Sequence, residues 1–405
     1  MSRQYQLVVW GATGFTGRLV STYIMRHYGS QIQWAIGGRN SSKLETLKEE
    51  LVSQYPGSVD ILVGDASDLD SLTNIARQSE VICSLVGPYL KYGSLLVQAC
   101  VLSQTHYCDI TGETLWIRKM IDAHHKQAQS DGTKIVHCCG FDSIPSDLGV
   151  FLLQTESVKT LGAAQTDVTF YLGKSKGGLS GGTVASMLGL LKSASDSAAR
   201  RVMGNPYGLN PKDGYRGPDK SDQLWVRYDE GIQRWTAPFI MAGINTRIVR
   251  RTNALLDYQY GKEFQYREVM SLPRGIRGLG WGVSMSLGIG LFALLAQKKL
   301  LRNMFLMPWL PSPGEGPDQK AREGGFFNIS ICGENASVRV VGTQDPGYGE
   351  TSKMVGEAAM CLVFDQEHLP KQGGVLTPAV AMGHTLIERL RAKDMVFSFH
   401  ANNTE

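Results

Sequence analysis

The apolar run Leu7-Val8-Val9-Trp10 ends directly in Gly11-Ala12-Thr13-Gly14-Phe15-Thr16-Gly17, and Phe15, Leu19, Val20, Tyr23 and Ile24 then recur at helical spacing. Strand, glycine turn and helix in that order constrain this chain more than any other feature. Backbone N–H groups and the positive end of the helix can meet a pyrophosphate there, provided no side chain stands in the way. The pattern points to a dinucleotide site built by Gly11, Ala12, Thr13, Gly14, Phe15, Thr16 and Gly17. A merely structural βα turn is the bland alternative.

The second apolar run, Trp34-Ala35-Ile36, is followed by Gly37-Gly38-Arg39-Asn40-Ser41-Ser42-Lys43. A chain that prefers NAD places an acid near this point to hold the ribose 2′-hydroxyl, and none is present. Arg39 offers instead a planar fork for a 2′-phosphate, with Lys43 adding point charge. NADPH is therefore expected over NADH. Ser42 with Glu45 also fits a capping box, so the two cations equally suit a solvated helix start.

A length of 405 residues is long for one core and predicts two domains. The formal net charge of +4 is too small to argue for nucleic acid, and no aromatic-interleaved basic block supports it. The seven cysteines form no C-x-x-C pair and no metal spacing, so no metal and a set of reduced, buried thiols are expected. The chain starts without a basic-then-apolar leader, from which a cytoplasmic setting is expected.

Up to about residue 139, apolar runs alternate with amphipathic stretches, the form of a doubly wound α/β domain with a parallel Rossmann sheet. The further runs are Ile61–Val63, Val81–Leu85, His106–Asp109 and Lys134–Cys138, with a helical pattern over Leu95–Leu102. Ligands of such sheets lie over the carboxyl ends of the strands. Asp65 ends the third run and could accept from an adenine amino group or merely cap a helix. Gly87 and Pro88 end the fourth, where a close backbone approach to the nicotinamide-side ribose would need a small residue and a fixed chain direction. Tyr89 would then stand near the reaction, or plug a gap between domains. Glu113 follows the fifth run and can begin a helix. Gly140-Phe141-Asp142-Ser143-Ile144-Pro145-Ser146-Asp147 follows the sixth, with Pro145 in a first helical turn, and reads as the crossing into a second domain.

Gly11 to Gly17, Gly37-Gly38-Arg39, Val86-Gly87-Pro88-Tyr89, Asp109-Ile110-Thr111-Gly112-Glu113 and Gly140 to Asp147, five motifs in order, resemble the saccharopine dehydrogenase-like oxidoreductase family, and Gly373-Gly374-Val375-Leu376-Thr377-Pro378 extends the likeness over nearly the whole chain. The resemblance implies an NADP-binding Rossmann domain and a second α+β domain. In the trans-acting enoyl reductase branch it implies enoyl reduction on lipid-linked polyketide chains for glycolipid synthesis. Animal relatives are associated with lipid droplets and membranes. The family provides no dependable catalytic residue to carry over. The expected division is 1–140 for the nucleotide domain, 141–372 for a substrate- and lipid-contacting domain, and 373–405 for a segment packing back toward the first.

Residues 278–297 carry no charge, and Met304–Leu310 is apolar again, so 278–310 is the second telling stretch. Twenty residues can span a bilayer, but basic residues flank both ends and give no orientation. Burial in a domain or dimer core, peripheral contact with anionic lipid, and a true span are the readings it allows, burial standing first.

Other constellations weigh less. Tyr258 and Lys262 make a Tyr-x-x-x-Lys pair far past the nucleotide domain, best ascribed to chance. His124 and His125 read as a solvated face. Gly177–Thr183 suits a substrate loop. Arg247, Arg250 and Arg251 could bind an anionic group of a substrate carrier or keep a sheet edge from aggregating.

The reading these features support is an NADPH-dependent oxidoreductase acting on a lipid-like or carrier-linked acyl substrate in a cleft between domains, with Tyr89, Asp142 and Ser143 as candidate catalytic residues. A homo-oligomer and peripheral contact with the inner face of a membrane are compatible with it. Its rivals are a saccharopine-type amino-acid dehydrogenase and a membrane-associated protein that binds NADPH without catalysis.

Overall fold

A computed structural model describes residues 3–177, 197–297, 301, 304 and 316–402. Strand β1 (Tyr5–Trp10) passes through the glycine turn into helix α1 (Phe15–Tyr28), and the alternation continues through β2 (Trp34–Gly38), α2 (Ser41–Gln54), β3 (Asp60–Val63), α3 (Leu69–Arg77) and β4 (Ser79–Ser84). Then come the short α4 (Tyr89–Tyr92), α5 (Ser94–Leu102), β5 (His106–Asp109), α6 (Thr114–Ser130) and β6 (Lys134–Val136). These six strands pair in parallel, and β13 (Gly374–Leu376) adds a seventh beside β6, giving the order β13-β6-β5-β4-β1-β2-β3. Leu7, Val8, Val9, Ile82 and Ile135 are fully buried, as a parallel sheet covered on both faces requires. Strand β6 stops short of the expected Cys138 because that residue turns to φ 64°, a left-handed conformation that cannot continue a strand.

A second sheet takes β7 (Asp167–Lys176), β8 (Arg227–Asp229), β9 (Arg234–Pro238), β10 (Gln265–Ser271), β11 (Phe326–Cys332), β12 (Ala336–Gly342) and β14 (Val396–Ala401) in the order β14-β12-β11-β7-β10-β9-β8. Only its β7–β10 pair is parallel, so this half is α+β. Helix α7 (Ile144–Leu161) links the halves and begins with Pro145 in its first turn. A Cβ on its Gly149 would lie 2.4 Å from Ile331 Cδ1, so the helix sits hard on the second sheet.

The return to the first sheet starts well before residue 373. Helix Thr351–Phe364 lies against α1, β4 and β5, with Met354, Val355, Ala358, Ala359 and Leu362 fully buried. A helix apolar on that many sides needs covered surroundings, and the open face of the first sheet provides them. Its one buried acid, Glu357, accepts from the hydroxyls of Tyr23 and Tyr28 at 2.6 and 2.7 Å. Conversely β14, within the expected returning segment, joins the second sheet.

Two local expectations are corrected. Helix α2 is capped by Asn40, whose side chain accepts from the Lys43 N–H at 3.0 Å, and not by a Ser42–Glu45 box. His125 is no solvated residue: its Nδ1 accepts from the Val375 N–H at 3.1 Å, tying α6 to β13, and burial lowers its pKa to about 4. All seven cysteines are free, and six are buried.

Candidate active site

The strand order reverses at β1, with β2 on one side and β4 on the other, and the glycine turn opens at that point. Gly11 and Ala12 donate to the Gly37 carbonyl at 2.9 and 3.2 Å, which anchors the turn to β2. Gly11 has φ 85°, and a Cβ there would lie 2.5 Å from Val86 Cγ2. A Cβ on Gly17 would lie 2.1 Å from the Gly11 carbonyl oxygen, so only glycine lets α1 approach its own strand this closely. Gly14 caps α1 with no side-chain hydrogen bond, and the first turn holds no acid. The first N–H groups of α1 thus face outward beside an exposed glycine, and the donor set fits a pyrophosphate. Ala12 and Thr13 complete the turn, and Phe15 and Thr16 open α1. The Phe15 ring packs edge-on against Tyr348 at 4.8 Å, which seats the second half against the turn.

At the far end of the site Arg39 is exposed after β2, and among the described residues it makes no ion pair. Lys43 is exposed one helical turn on. Asp65, after β3, folds back on its own chain, accepting from the Ser67 N–H at 2.9 Å and the Ser67 hydroxyl at 2.8 Å. Those bonds, and then the Arg39 charge, hold its carboxyl below the usual range. Lys91 and Tyr92, absent from the sequence expectations, share this corner. The Lys91 ammonium stands 4.8 Å from the Tyr92 ring centre, and the Tyr92 hydroxyl is shifted down first by its hydrogen bond with Lys91 and also by Arg39. The signal was a lysine two residues beyond Tyr89, legible only once the turn after β4 was known to lean toward β2.

Gly87 and Pro88 are exposed over the end of β4, joined by a cis peptide. Tyr89 does not face the opening. Its hydroxyl donates to the Ser84 carbonyl at 2.9 Å, its ring lies 5.3 Å from that of Trp116, and burial holds its pKa far above the ordinary value. The Glu113 carboxylate accepts from the Tyr89 and Leu90 N–H groups at 2.8 Å each and so pins α4. Beneath these loops Asp109 is fully buried and accepts from the Tyr107 hydroxyl at 3.0 Å and the Thr111 and Cys138 N–H groups at 3.1 and 3.2 Å, while His137 Nδ1 lies 2.7 Å away. One carboxylate thereby fixes the loops after β5 and β6.

Asp142 stands on that fixed floor. Its Oδ2 lies 3.3 Å from where a Gly112 Cβ would be, with the Met241 methyl 4.0 Å from the same point. The carboxyl is half-buried, has no hydrogen-bond partner among the described residues, and is pushed up to about 7 by burial alone. Next to it Ser143 is fully buried and donates to Asn245 Oδ1 at 3.1 Å, and Asn245 donates to Glu268 at 2.9 Å. Ser143 is thus committed to a network, and it holds the Asp142 turn against the helix Ala242–Leu255.

The three arginines of that helix are internal struts and line no sheet edge. Arg247 bonds Asp222 at 2.7 Å, and Arg250 bonds Asp219 at 2.5 Å. Arg251 donates to the carbonyls of Leu209 and Val375 at 2.5 and 2.7 Å. Tyr258 and Lys262 sit in a shallow pocket with Tyr207 and Tyr215, remote from the sheet ends. Gly177 follows β7, and the rest of Gly177–Thr183 lies outside the described residues.

Residues 7–136 match the family of saccharopine dehydrogenase NADP binding domains. The chain is 40% identical to a Mycobacterium tuberculosis protein carrying the name trans-acting enoyl reductase, over 96% of both chains. It is 36% identical to a trans-acting enoyl reductase of Mycobacterium ulcerans over 98% of both. This chain belongs to the saccharopine dehydrogenase-like oxidoreductases, in their trans-acting enoyl reductase branch. Apo saccharopine dehydrogenase (L-Glu forming) from Saccharomyces cerevisiae shares the fold, with a TM-score of 0.50 at 12% identity over 98% of this chain and 99% of that one. As a member of this branch the chain is an NADP-dependent oxidoreductase with NADPH as its cofactor.

Proposed function

We propose that this protein reduces the carbon–carbon double bond of an α,β-unsaturated acyl thioester carried on a lipid-like or polyketide chain, and that Asp142 supplies the proton. Bound NADPH supplies the hydride. Hydride addition at the β-carbon sends the electron pair to the thioester oxygen, and the resulting enolate takes a proton at the α-carbon. A donor for that step must hold its proton near neutral pH and stand unencumbered at the carboxyl edge of the sheet. Asp142 has that placement, and its lack of a hydrogen-bond partner among the described residues is the observation that carries the reading. Tyr89, with Glu113 behind it, and Ser143, through Asn245, act as positioning residues for the α4 turn and the Asp142 turn.

A saccharopine-type substrate with several carboxylates would need free buried cations. Arg247 and Arg250 are instead neutralised by Asp222 and Asp219. The finer reading of the surroundings is a cytoplasmic protein that takes its acyl chain from a carrier and touches a membrane peripherally.

The test is NADPH consumption with a panel of enoyl thioesters and amino-acid adducts. Enoyl thioesters are expected to be reduced, with a rate that falls as pH rises through about 7 and Asp142 loses its proton. Asp142→Asn is expected to lower kcat by ~10²–10⁴-fold at unchanged NADPH affinity. An unchanged kcat removes Asp142 from the chemistry, and cofactor binding with no consumption on any substrate leaves a non-catalytic binder.

A further inference from the structure

The long uncharged stretch is a single helix, Gly275–Gln297, and it is built inside out for a water-facing helix. Its buried positions are small: Gly278, Gly282, Ser286 and Ala296. A Cβ on Gly278 would lie 3.2 Å from the Trp235 ring, and one on Gly282 2.4 Å from Val226 Cγ2, so this face is seated on β9 and the residues before β8. The outward face carries Ile276, Trp281, Leu287, Leu291 and Leu294, exposed by 88, 66, 58, 57 and 64%. Leu224 and Trp225, exposed by 76 and 49%, immediately precede the Val226 that touches Gly282 and extend the same patch. The expectation that this stretch is buried is therefore corrected as far as burial within its own domain goes. Among the described residues it is the one helix long and apolar enough to cross a membrane. It lies against a sheet, and a spanning helix would have to leave that sheet.

We propose that this helix, with Leu224 and Trp225, is a docking surface that lies in the plane of an anionic bilayer. Charge decides the occupant. Between Glu268 and Glu315 the sequence holds Arg274, Arg277, Lys298, Lys299 and Arg302 and no acid. A two-fold dimer through this face would bring together two copies of the exposed Arg274 and Arg277, whereas anionic headgroups neutralise them. Outward tryptophans suit the headgroup boundary, and outward leucines suit the acyl layer beneath it. The helix lies along β9, and that strand leads from Trp235 toward Met241, whose methyl stands beside Gly112 and Asp142. Docking would bring acyl chains to the candidate active site. The inference rests on the reading that the protein meets a membrane and adds which surface does so, in which orientation and with which lipid charge.

The test is flotation of the full chain, loaded with NADPH, on phosphatidylcholine vesicles with and without phosphatidylglycerol. Binding to the anionic vesicles, weakened by salt, is expected. Leu287→Asp with Leu291→Asp should reduce the bound fraction by at least ~10-fold, because charge is costly in the acyl layer. NADPH affinity and reduction of a short, soluble enoyl thioester should stay unchanged, which also checks folding. Arg274→Glu with Arg277→Glu tests the charge contribution without touching the leucines, and should weaken binding to anionic vesicles alone. If the leucine variant floats like the parent, the docking surface is wrong while membrane contact stands. A parent that floats with neither vesicle overturns both. A parent dimer that dissociates in the leucine variant, without flotation, assigns the patch to a second copy.

Discussion

Two glycine-rich stretches, Gly11–Gly17 and Gly275–Gly290, look alike as composition and do opposite things. At Gly17 in the first, the space a Cβ would fill belongs to backbone: the Gly11 carbonyl oxygen stands 2.1 Å from where that Cβ would be, and the helix starts beside an exposed Gly14. In the second, Gly282 makes room for a side chain, Val226, and lets a helix press on a sheet while its leucines face away. Glycine before an uncapped helix start leaves N–H groups to a ligand, and glycine along a helix flank turns the larger residues outward. The pattern alone does not say which. The neighbours do.

The contrast breaks most visibly at its tightest points. Gly17→Ala is expected to weaken NADPH binding, measured by calorimetry, by more than ~100-fold, because backbone cannot yield by that distance. Gly282→Ala should cost only ~1–3 kcal/mol of stability in denaturant unfolding, since a valine side chain can rotate, and should leave NADPH affinity intact. Equal effects of the two on NADPH would dissolve the distinction. A smaller change is expected at the adenosine end of the turn. Arg39→Ala should reduce the preference for NADPH over NADH by ~10–100-fold, the worth of a charge-assisted contact of ~1.5–3 kcal/mol, without weakening NADH. A preference that survives the change would shift the phosphate contact to Lys91 or Lys43.

The smallest effect concerns the crossing turn. Asp142, Asp147 and Glu268 are each pushed up to about 7, chiefly by burial, although Asp147 and Glu268 are hydrogen-bonded and Asp142, among the described residues, is not. Their folded pKa values lie above the unfolded ones near 4, so the folded state holds protons that the unfolded chain gives up. Stability is therefore fullest below about pH 4 as far as these groups go, and is lost as pH rises through about 7. Asp142→Asn should shrink the fall in melting temperature between pH 5 and pH 8 by a few degrees. Asp147→Asn should lower stability at both pH values, since it replaces an acceptor of the Ala379 N–H, bonded at 2.8 Å, and of the Thr252 hydroxyl. An unchanged slope in the Asp142 variant would mean that its carboxyl is ionised in the folded protein.

Much of the first domain was legible because its information is local. Period, turn chemistry and strand length act within a few residues, so the six strands, the glycine turn, Arg39 and the crossing at Gly140–Asp147 could be read along the chain. The seventh strand and the helix Thr351–Phe364 were not, because a short apolar run finds its partner only when the chain returns to an open edge or face. Tyr89 illustrates the limit within the site. Its position after β4 was readable, but the direction of its hydroxyl depended on Ser84 and on the ring of Trp116. Ser143 is the same case, held by Asn245 from a helix a hundred residues on. Asp142, before α7, and Asp147, in its first turn, stand five residues apart and differ, among the described residues, in whether donors from distant segments reach them.

By itself, then, the sequence determined that a strand, a glycine turn and a helix start without a side-chain cap open an NADP-binding domain, because that arrangement is made of backbone and of the absence of side chains. The tertiary structure alone decided which polar groups remained free for chemistry and which apolar face remained uncovered. Both depend on what packs against a residue from far along the chain, and no local pattern records that.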